Sequence, residues 1–474
     1  MYRPHPLDRR LAAVVPPGRL YAVGGRVRDE VRAALGQCAP PGEREPFDLD
    51  YLVTGLSAAD LRERLERIGK VDLVGASFAV FKVLVDGTIA DVALPRRERS
   101  TGPGHRDFEV HGGPEVSLEE DLARRDFRMN MLARALPGGE LVDPYGGVAD
   151  IEQRRIDILA ERAFEEDPLR MLRAAQFVAR FEYTPSERTI AAMRAAAPLV
   201  RTVAPERIRD ELLKLLGKAN KPSLGIELLR ETGVLEVFWA ELLEGVGVEQ
   251  NAWHAYDVYR HALATLDATP PGDPLLRLAA LLHDVAKPRT KEGEHFYRHE
   301  LLGAEMAAAM LARLRFSNEE IATVAHLIRH HLYTTDPVQT DAAIRRFIRR
   351  VGPEHLERLF ALRRADVAGS GLPERGEWNR RFEERVRAEL ARKAPLRASD
   401  LAIGGEEVID ALVRAGLAPP GFRGDRRVGD LLGWLLEQVT EVPERNERET
   451  LLALLEQRIA AERAADAASA HAQP

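Results

Sequence analysis

Residues 20–35 read LYAVGGRVRDEVRAAL and residues 47–53 read FDLDYLV. The first segment opens on a short apolar run, breaks at Gly24-Gly25 and continues with apolar residues at helical spacing, which predicts a strand, a tight turn and a helix. The second is an apolar stretch interrupted by Asp48 and Asp50. Residues two apart on a strand share a face, so both carboxylates are expected to project together from one end of a β-strand. Paired hard oxygen ligands suit Mg²⁺, which can bridge substrate phosphates and polarise an attacking hydroxyl. Taken alone, the pair is weak evidence and solvated edge charge is the favoured reading; the glycines one strand upstream shift the balance. Glycine at a strand end lets the backbone approach a ligand, and the helix N-terminus beyond it offers free N–H groups to phosphate, with Arg28 one turn in. Together they outline a nucleoside triphosphate site.

Working outward, residues 56–69 carry an amphipathic helical pattern, and FAVFKVLV-DG-TIADVAL (78–94) is a hairpin signal, two β-rich runs joined by Asp86-Gly87. A two-residue turn there pairs 85 with 88, 84 with 89, 83 with 90 and 82 with 91. Lys82 then faces Asp91, which leaves Asp91 open between a third site carboxylate and a cross-strand ion pair. Residues 96–117 are rich in Gly, Pro and charge and are expected to form a mobile loop. From residue 150 strand signals nearly vanish. Helical spacing continues to about residue 465, with breaks near 217–222, 245–252, 268–274, 335–340, 370–378 and 418–424, and the alanine-rich tail from residue 460 is expected to fray.

At 474 residues the chain exceeds what one hydrophobic core supports. With 45% hydrophobic and 30% charged residues it has a globular composition, and no stretch matches the ~20 apolar residues of a membrane span. The N-terminus lacks the pattern of a secretion signal, so a cytoplasmic protein is expected. Cys38 is the sole cysteine. Disulfide frameworks and cysteine-rich metal sites are thereby excluded, and any metal must sit on Asp, Glu or His. A net charge of −7 argues against non-specific coating of nucleic acid. Basic clusters at 214–221 and at Arg345, Arg346, Arg349 and Arg350 are candidates for phosphate contact, with a solvated helical face as the ordinary reading.

Four ordered motifs, VGGRVRDEV, FDLDYLV, LARRDFRMNML and EEDPLRMLRAAQFVARF, resemble the class II tRNA nucleotidyltransferase and bacterial poly(A) polymerase superfamily over roughly residues 20–215. The resemblance implies that Asp48 and Asp50 hold the catalytic Mg²⁺ and that Gly24, Gly25 and Arg28 contact the incoming triphosphate. Arg125 is a further nucleotide contact. In the EDPLR element, Asp167 and Arg170 read the base edge of ATP or CTP in place of a template, and Arg173 completes the pocket. The element also makes sense unaided: Pro168 suits a first helical position, Asp167 suits its cap, and Arg170 and Arg173 lie a turn apart. The family's usual RRDFTINAL stands here as RRDFRMNML, with Arg128 at the first departing position.

Further on, DVYRHALATL and PLLRLAALLHDVAKP are helical, the second strongly apolar yet bearing His283-Asp284. Burial of that pair needs a partner, and metal ligation supplies one. With His261 upstream and Asp366 downstream, the order resembles the HD phosphohydrolase superfamily, which implies a second divalent metal on His261, His283, Asp284 and Asp366. His254 is an alternative to His261. His299, His326, His330 and His331 could line the same pocket. Some CCA-adding enzymes carry such a domain after the polymerase core.

The expected architecture is an α/β nucleotidyltransferase head with a small mixed sheet (1–145), a helical neck and body (146–248), an HD-type helical domain (249–372) and a helical C-terminal region (373–474). The expected activity is addition of CCA from CTP and ATP to the 3′ end of tRNA, through attack of the terminal hydroxyl on the α-phosphorus. The partners are tRNA, ATP and CTP, with neither membrane nor DNA. In relatives that add only the two cytidines the loop corresponding to 96–117 is shortened, so its presence favours complete addition. The alternatives are poly(A) or adenosine-only addition, and an HD phosphohydrolase with an inactive head.

Overall fold

The computed structural model describes residues 4–39, 49–74, 80–100, 108–251, 254–372 and 377–471. Asp48 lies outside them. Turn chemistry sets the register of the head: Asp86 and Gly87 both have positive φ, 50° and 81°, as a two-residue type I′ turn demands. The strands are β1 (Leu20–Val23), β2 (Asp50–Val53), β3 (Lys70–Val74), β4 (Val80–Val85), β5 (Thr88–Ala93), β6 (Arg96–Ser100), β7 (Phe108–Gly112), β8 (Ala133–Leu136) and β9 (Leu141–Val142). Around that turn β4 and β5 pair 85 with 88 through 82 with 91, as the spacing requires. On β4, Phe81, Val83 and Val85 are buried while Lys82 and Leu84 face out, the period of two that fixes which side carries the core.

The head sheet has the order β3-β4-β5-β2-β1-β8-β9 and is mixed. β2 runs parallel to β5 and antiparallel to β1, and β8 closes the other side of β1. Leu20, Ala22, Val23, Leu52, Val53 and Val92 make this centre a buried core. Helix Gly25–Ala34 leaves β1 directly at the glycine pair.

The segment expected to be a loop, 96–117, instead contains β6 and β7, an antiparallel ribbon pairing Arg96 with Gly112 through Ser100 with Phe108. Backbone hydrogen bonds between two strands need no apolar side chains, so the all-polar β6 within a segment rich in Gly, Pro and charge concealed it. Ser117 then starts helix Leu118–Ala123 with a capping box to Glu120.

Beyond residue 150 helices dominate, broken where the apolar spacing breaks, and helix Arg448–His471 continues through most of the segment expected to fray. The described chain forms two compact units: Met1–Val248 with Pro270–Leu278 and Ala307–Ile321, and the remaining segments. Within the second, Val408, Leu412, Leu435, Leu451 and Leu455 centre a core of the C-terminal helices. There Arg345 is buried against Glu389, while Arg346 and Arg349 pair with Glu437, so these cations serve internal ion pairs rather than an open phosphate-binding face. No helix among the described residues is long and apolar enough to cross a membrane.

Candidate active site and metal centre

At the end of β1 the chain turns through Gly24, whose φ of 77° and ψ of −149° are strained for any other residue. A Cβ there would lie 2.9 Å from Asp50 Oδ2, so the glycine is what allows the backbone to pass the carboxylate. Asp50 is the first residue of β2 and pairs in register with Asp91, which in turn pairs with Lys82. Lys82 Nζ is 3.7 Å from Asp91 Oδ1, so the cross-strand ion pair exists. Paired residues of adjacent strands share a face, however, so Asp91 also stands beside Asp50. The sequence could not show this second neighbour, because it depends on β2 lying next to β5.

Gly24, Gly25, Arg28, Asp50, Arg125, Asp167, Arg170 and Arg173 line one cavity of about 330 Å³, joined by Asp126, Asn130, Leu169 and Arg207. A chain of polar contacts fixes its cations. Arg28 donates to Asn130 Oδ1 at 2.9 Å, Asn130 donates to Asp126 Oδ1 at 2.8 Å, and Arg173 Nε donates to Asp126 Oδ2 at 2.8 Å. The guanidinium of Arg28 lies over Phe177 and Phe181, and that of Arg173 lies over Phe177. Burial pushes the Asp126 carboxyl up, but Arg173 and Asn130 outweigh it and hold it below the usual carboxylate range. Asp126 and Asn130 were legible only as part of RRDFRMN. Arg207, 34 residues past Arg173, had no signal of its own. Arg128 turns away to a bidentate pair with Asp150 at 2.7 and 2.6 Å, which accounts for the departure at that position.

The EDPLR element differs in detail from a simple capped helix. The helix spans Arg170–Phe181, and Asp167 Oδ1 accepts from the N–H of Leu169 at 3.2 Å in the turn before it. Arg170 reaches the carbonyl of Arg124 at 2.6 Å, and Arg207 lies 3.7 Å from Asp167. These contacts hold the Asp167 carboxylate and the Arg170 and Arg207 guanidinium groups in fixed positions at the cavity.

In the second unit, Asp257 accepts from the N–H of Arg260 and starts helix Val258–Ala268, placing His261 in its first turn. Helix Pro274–Leu282, apolar because it is buried, ends just before His283-Asp284. Asp366 lies on helix Leu356–Gly369, where a Cβ on Gly369 would meet Thr265 Oγ1 at 2.4 Å. That glycine therefore permits the two helices to touch and brings Asp366 to His261, Oδ1 to Nε2, at 3.1 Å. Gly369 was not singled out in the sequence.

The predicted quartet converges: His283 Nε2 is 3.1 Å from Asp284 Oδ2 and 3.2 Å from His261 Nε2. Burial opposes charge here, yet Asp284 and Asp366 push the His283 imidazole up to about 10 and are themselves held well below the carboxylate range. A divalent ion would take the place of such a proton, and the donor set of imidazole nitrogen and carboxylate oxygen fits one. His254 packs edge-on against His261, hydrogen-bonds Asn251 and also lines the cavity beside Asp366, whereas His261 is the one that reaches His283, at 3.2 Å. His299 and His331 line the same cavity, about 790 Å³, with Lys287, Phe296 and Trp378. His326 and His330 do not line it; they pack on each other, and His326 also packs on His355.

Three family models match in chain order: a poly A polymerase head domain over 20–157, a probable RNA and SrmB-binding site of polymerase A over 182–244, and an HD domain over 253–367. The chain is 36% identical over 369 residues to the multifunctional CCA protein of Stenotrophomonas maltophilia K279a, covering 74% of this chain and 86% of that one. It is 34% identical over 425 residues to that of Xanthomonas campestris pv. campestris B100, covering 84% and 97%. Its fold is similar to the Bacillus stearothermophilus CCA-adding enzyme in complex with CTP, with a TM-score of 0.65 and 23% identity over 97% of this chain and 99% of that one. The Thermotoga maritima CCA-adding enzyme complexed with tRNA(CCA) aligns with a TM-score of 0.53 and 20% identity, covering 97% and 96%.

Proposed function

The chain belongs to the family of CCA-adding tRNA nucleotidyltransferases that the multifunctional CCA proteins represent, and from that premise we propose how its residues divide the work. It adds CCA, from CTP and ATP, to the 3′ end of tRNA and releases pyrophosphate. The observation that supports the residue assignment most is that Gly24, Gly25, Arg28, Asp50, Arg125, Asp167, Arg170 and Arg173 share one cavity. The parts are a head over 1–145, a neck and body over 146–248, an HD domain over 249–372 and a helical region over 373–474, and the cytoplasm is the compartment.

The incoming triphosphate lies at the N-terminus of helix Gly25–Ala34, where free backbone N–H groups face its oxygens and Arg28 and Arg125 add fixed positive charge. Asp167 and Arg170 offer the base edge an acceptor and a donor fork, and Arg173, braced by Asp126, closes the pocket. Asp48 and Asp50 would hold a divalent cation, Mg²⁺, which would supply Lewis-acid polarisation of the attacking hydroxyl and charge neutralisation. The 3′ oxygen of tRNA bonds to the α-phosphorus as the bond to the pyrophosphate oxygen breaks, and alignment of these groups is the protein's main contribution. The neck holds the acceptor stem by shape and backbone phosphate rather than by sequence. In the HD domain, His261, His283, Asp284 and Asp366 hold a divalent metal for phosphoester hydrolysis.

A tRNA lacking its terminal CCA, incubated with labelled CTP and ATP, should gain three nucleotides and need both substrates, resolved on a sequencing gel. A long ladder from ATP alone would mean poly(A) synthesis and overturn this assignment.

A further inference from the structure

We infer that Asp8, Arg26 and Tyr51 are positioning residues for nucleotide addition: buried behind the face of the sheet that carries Asp50, they set where the start of helix Gly25–Ala34 stands against β2. The inference rests on reading that helix start as the triphosphate site. It extends the addition machinery to helix Pro6–Ala12, which precedes the matched head domain.

Helix Gly25–Ala34 is held on two sides. Arg28 faces the cavity and reaches Asn130. Residues two apart on a helix lie roughly 200° apart around its axis, so Arg26 turns the other way and does not line the cavity. It is 2% exposed, and its partner Asp8 is 1% exposed. Arg26 Nη1 and Nη2 donate to Asp8 Oδ1 and Oδ2 at 2.9 and 2.7 Å, a fork-to-fork pair. The Tyr51 hydroxyl donates to Asp8 Oδ1 at 2.6 Å, and the His5 backbone N–H donates to Oδ2 at 2.8 Å. One turn along the helix, Glu30 accepts from Arg26 Nε at 3.0 Å and, on its other oxygen, from Arg134 Nε at 2.7 Å. Burial pushes the Asp8 carboxyl up, but Arg26 and Tyr51 outweigh it and hold it below its ordinary value, so the pair is charged.

These bonds join residues that adjoin the cavity. Tyr51 follows Asp50 on β2, and because successive residues of a strand face opposite ways it lies on the reverse of the sheet. In register, Tyr51 stands beside Ala22 of β1 and Ala22 beside Arg134 of β8, so Tyr51 and Arg134 flank the strand that runs into Gly24-Gly25. Tyr51 is thus one residue from Asp50, and Arg26 is one residue from Gly25. The N-cap, Gly24, has no side chain to fix the helix start, so tertiary contacts must hold it. A buried ion pair adds little net stability over an apolar pair of similar volume. What this one supplies is a fixed distance and direction between the N–H groups at the helix start and the carboxylate of Asp50.

The test is steady-state addition by the full chain to tRNA lacking its CCA, at a temperature where circular dichroism shows each variant folded. Arg26→Met and Asp8→Asn should each lower kcat/KM for CTP and for ATP by one common factor, about 10- to 100-fold, and leave the tRNA KM within about twofold, as expected when the reacting phosphate is displaced by ~1 Å and the tRNA contacts are not. The factor is common because the triphosphate is what the two substrates share. Tyr51→Phe, which removes only a hydroxyl, should cost about 3- to 10-fold, the worth of one buried hydrogen bond. Asp8→Leu combined with Arg26→Met, an apolar pair, should recover the melting temperature that the single changes lose and yet keep the low kcat/KM. A double variant that recovers both overturns the inference and makes the pair structural only, as does a tRNA KM that moves as far as the nucleotide constants. Where the single or double variants fail to fold, Tyr51→Phe decides, and parental constants in it overturn the inference. Arg28→Ala separates the two readings. If it leaves the nucleotide KM unchanged, the triphosphate site lies elsewhere and both fall; if it raises that KM while the Asp8, Arg26 and Tyr51 variants add nucleotides as the parent does, only the positioning inference falls.

Discussion

In the head cavity Arg28, Arg170 and Arg173 are tied to Asn130, to the carbonyl of Arg124 and to Asp126, whereas in the HD centre four imidazoles surround a carboxylate that accepts no aligned hydrogen bond. The difference follows from proton chemistry. A guanidinium is charged at every accessible pH and must be paired wherever it is half-buried, so a cavity lined with arginine arrives with its cations already braced. Imidazole can be neutral: burial pushes His331 down to about 3, which leaves a lone pair in place of a charge. The head therefore meets an anionic ligand with positive charge of its own, whereas in the HD centre His331 is neutral and the charge that Asp284 and Asp366 induce on His283 is one that a divalent ion would take over.

The comparison breaks most sharply if the two regions fail to separate by mutation. Asp50→Ala should lower CCA addition by at least ~10³-fold, the several kcal/mol that a metal ligand contributes to the transition state, while Co²⁺ uptake by the HD centre persists. His283→Ala should do the reverse, and steady-state tRNA labelling alongside metal titration reads both. Next in size is Gly24→Ala. With a Cβ 2.9 Å from Asp50 Oδ2 on a backbone of positive φ, it should cost about 1–3 kcal/mol in a denaturant midpoint and roughly 10²-fold in addition rate.

A smaller effect tests whether the braced groups select nucleotides. Asp167→Ala should relax discrimination between CTP and UTP by about 10- to 100-fold, as expected from losing one base-edge contact of ~1–3 kcal/mol, with less change in overall rate. Misincorporation assays decide it, and unchanged fidelity would move base reading elsewhere. The smallest effect concerns pH. The Asp126 carboxyl is held below its ordinary value, so its contribution is full above about pH 4 and fades as pH falls through the lower folded value. Urea midpoints should fall more steeply between pH 5 and pH 3 in the parent than in Asp126→Asn, by a margin on the order of 1 kcal/mol.

Much of this was legible before the fold. The Asp86-Gly87 turn fixed which residues of β4 and β5 face each other, and the apolar spacing located the helix breaks. The motif residues of the head reach one cavity because most sit at a strand end or in the first turn of a helix, positions that local sequence encodes, while Arg125 follows the end of helix Leu118–Ala123. Other features were hidden. Strand β6, RRERS, carries no apolar residue and β7 only Phe108 and Val110, and the basic cluster at Arg345, Arg346 and Arg349 does not reveal Glu389 and Glu437 opposite it. Arg207 and Gly369 belong to no recognised motif, yet one lines the cavity and the other sets how closely two helices approach.

What the sequence determined by itself was the chemistry on offer and much of its local geometry: two carboxylates with a glycine turn, an arginine pair one helical turn apart, a His-Asp dipeptide at the end of an apolar helix. These follow from φ/ψ preferences and periodicity within a few residues. Only the tertiary structure decided that Asp91 stands beside Asp50 as well as Lys82, and that Asp366 reaches His261. Those contacts join segments far apart in the chain, and they are set by which apolar faces pack together and how closely, a property of the assembled core that no local window contains.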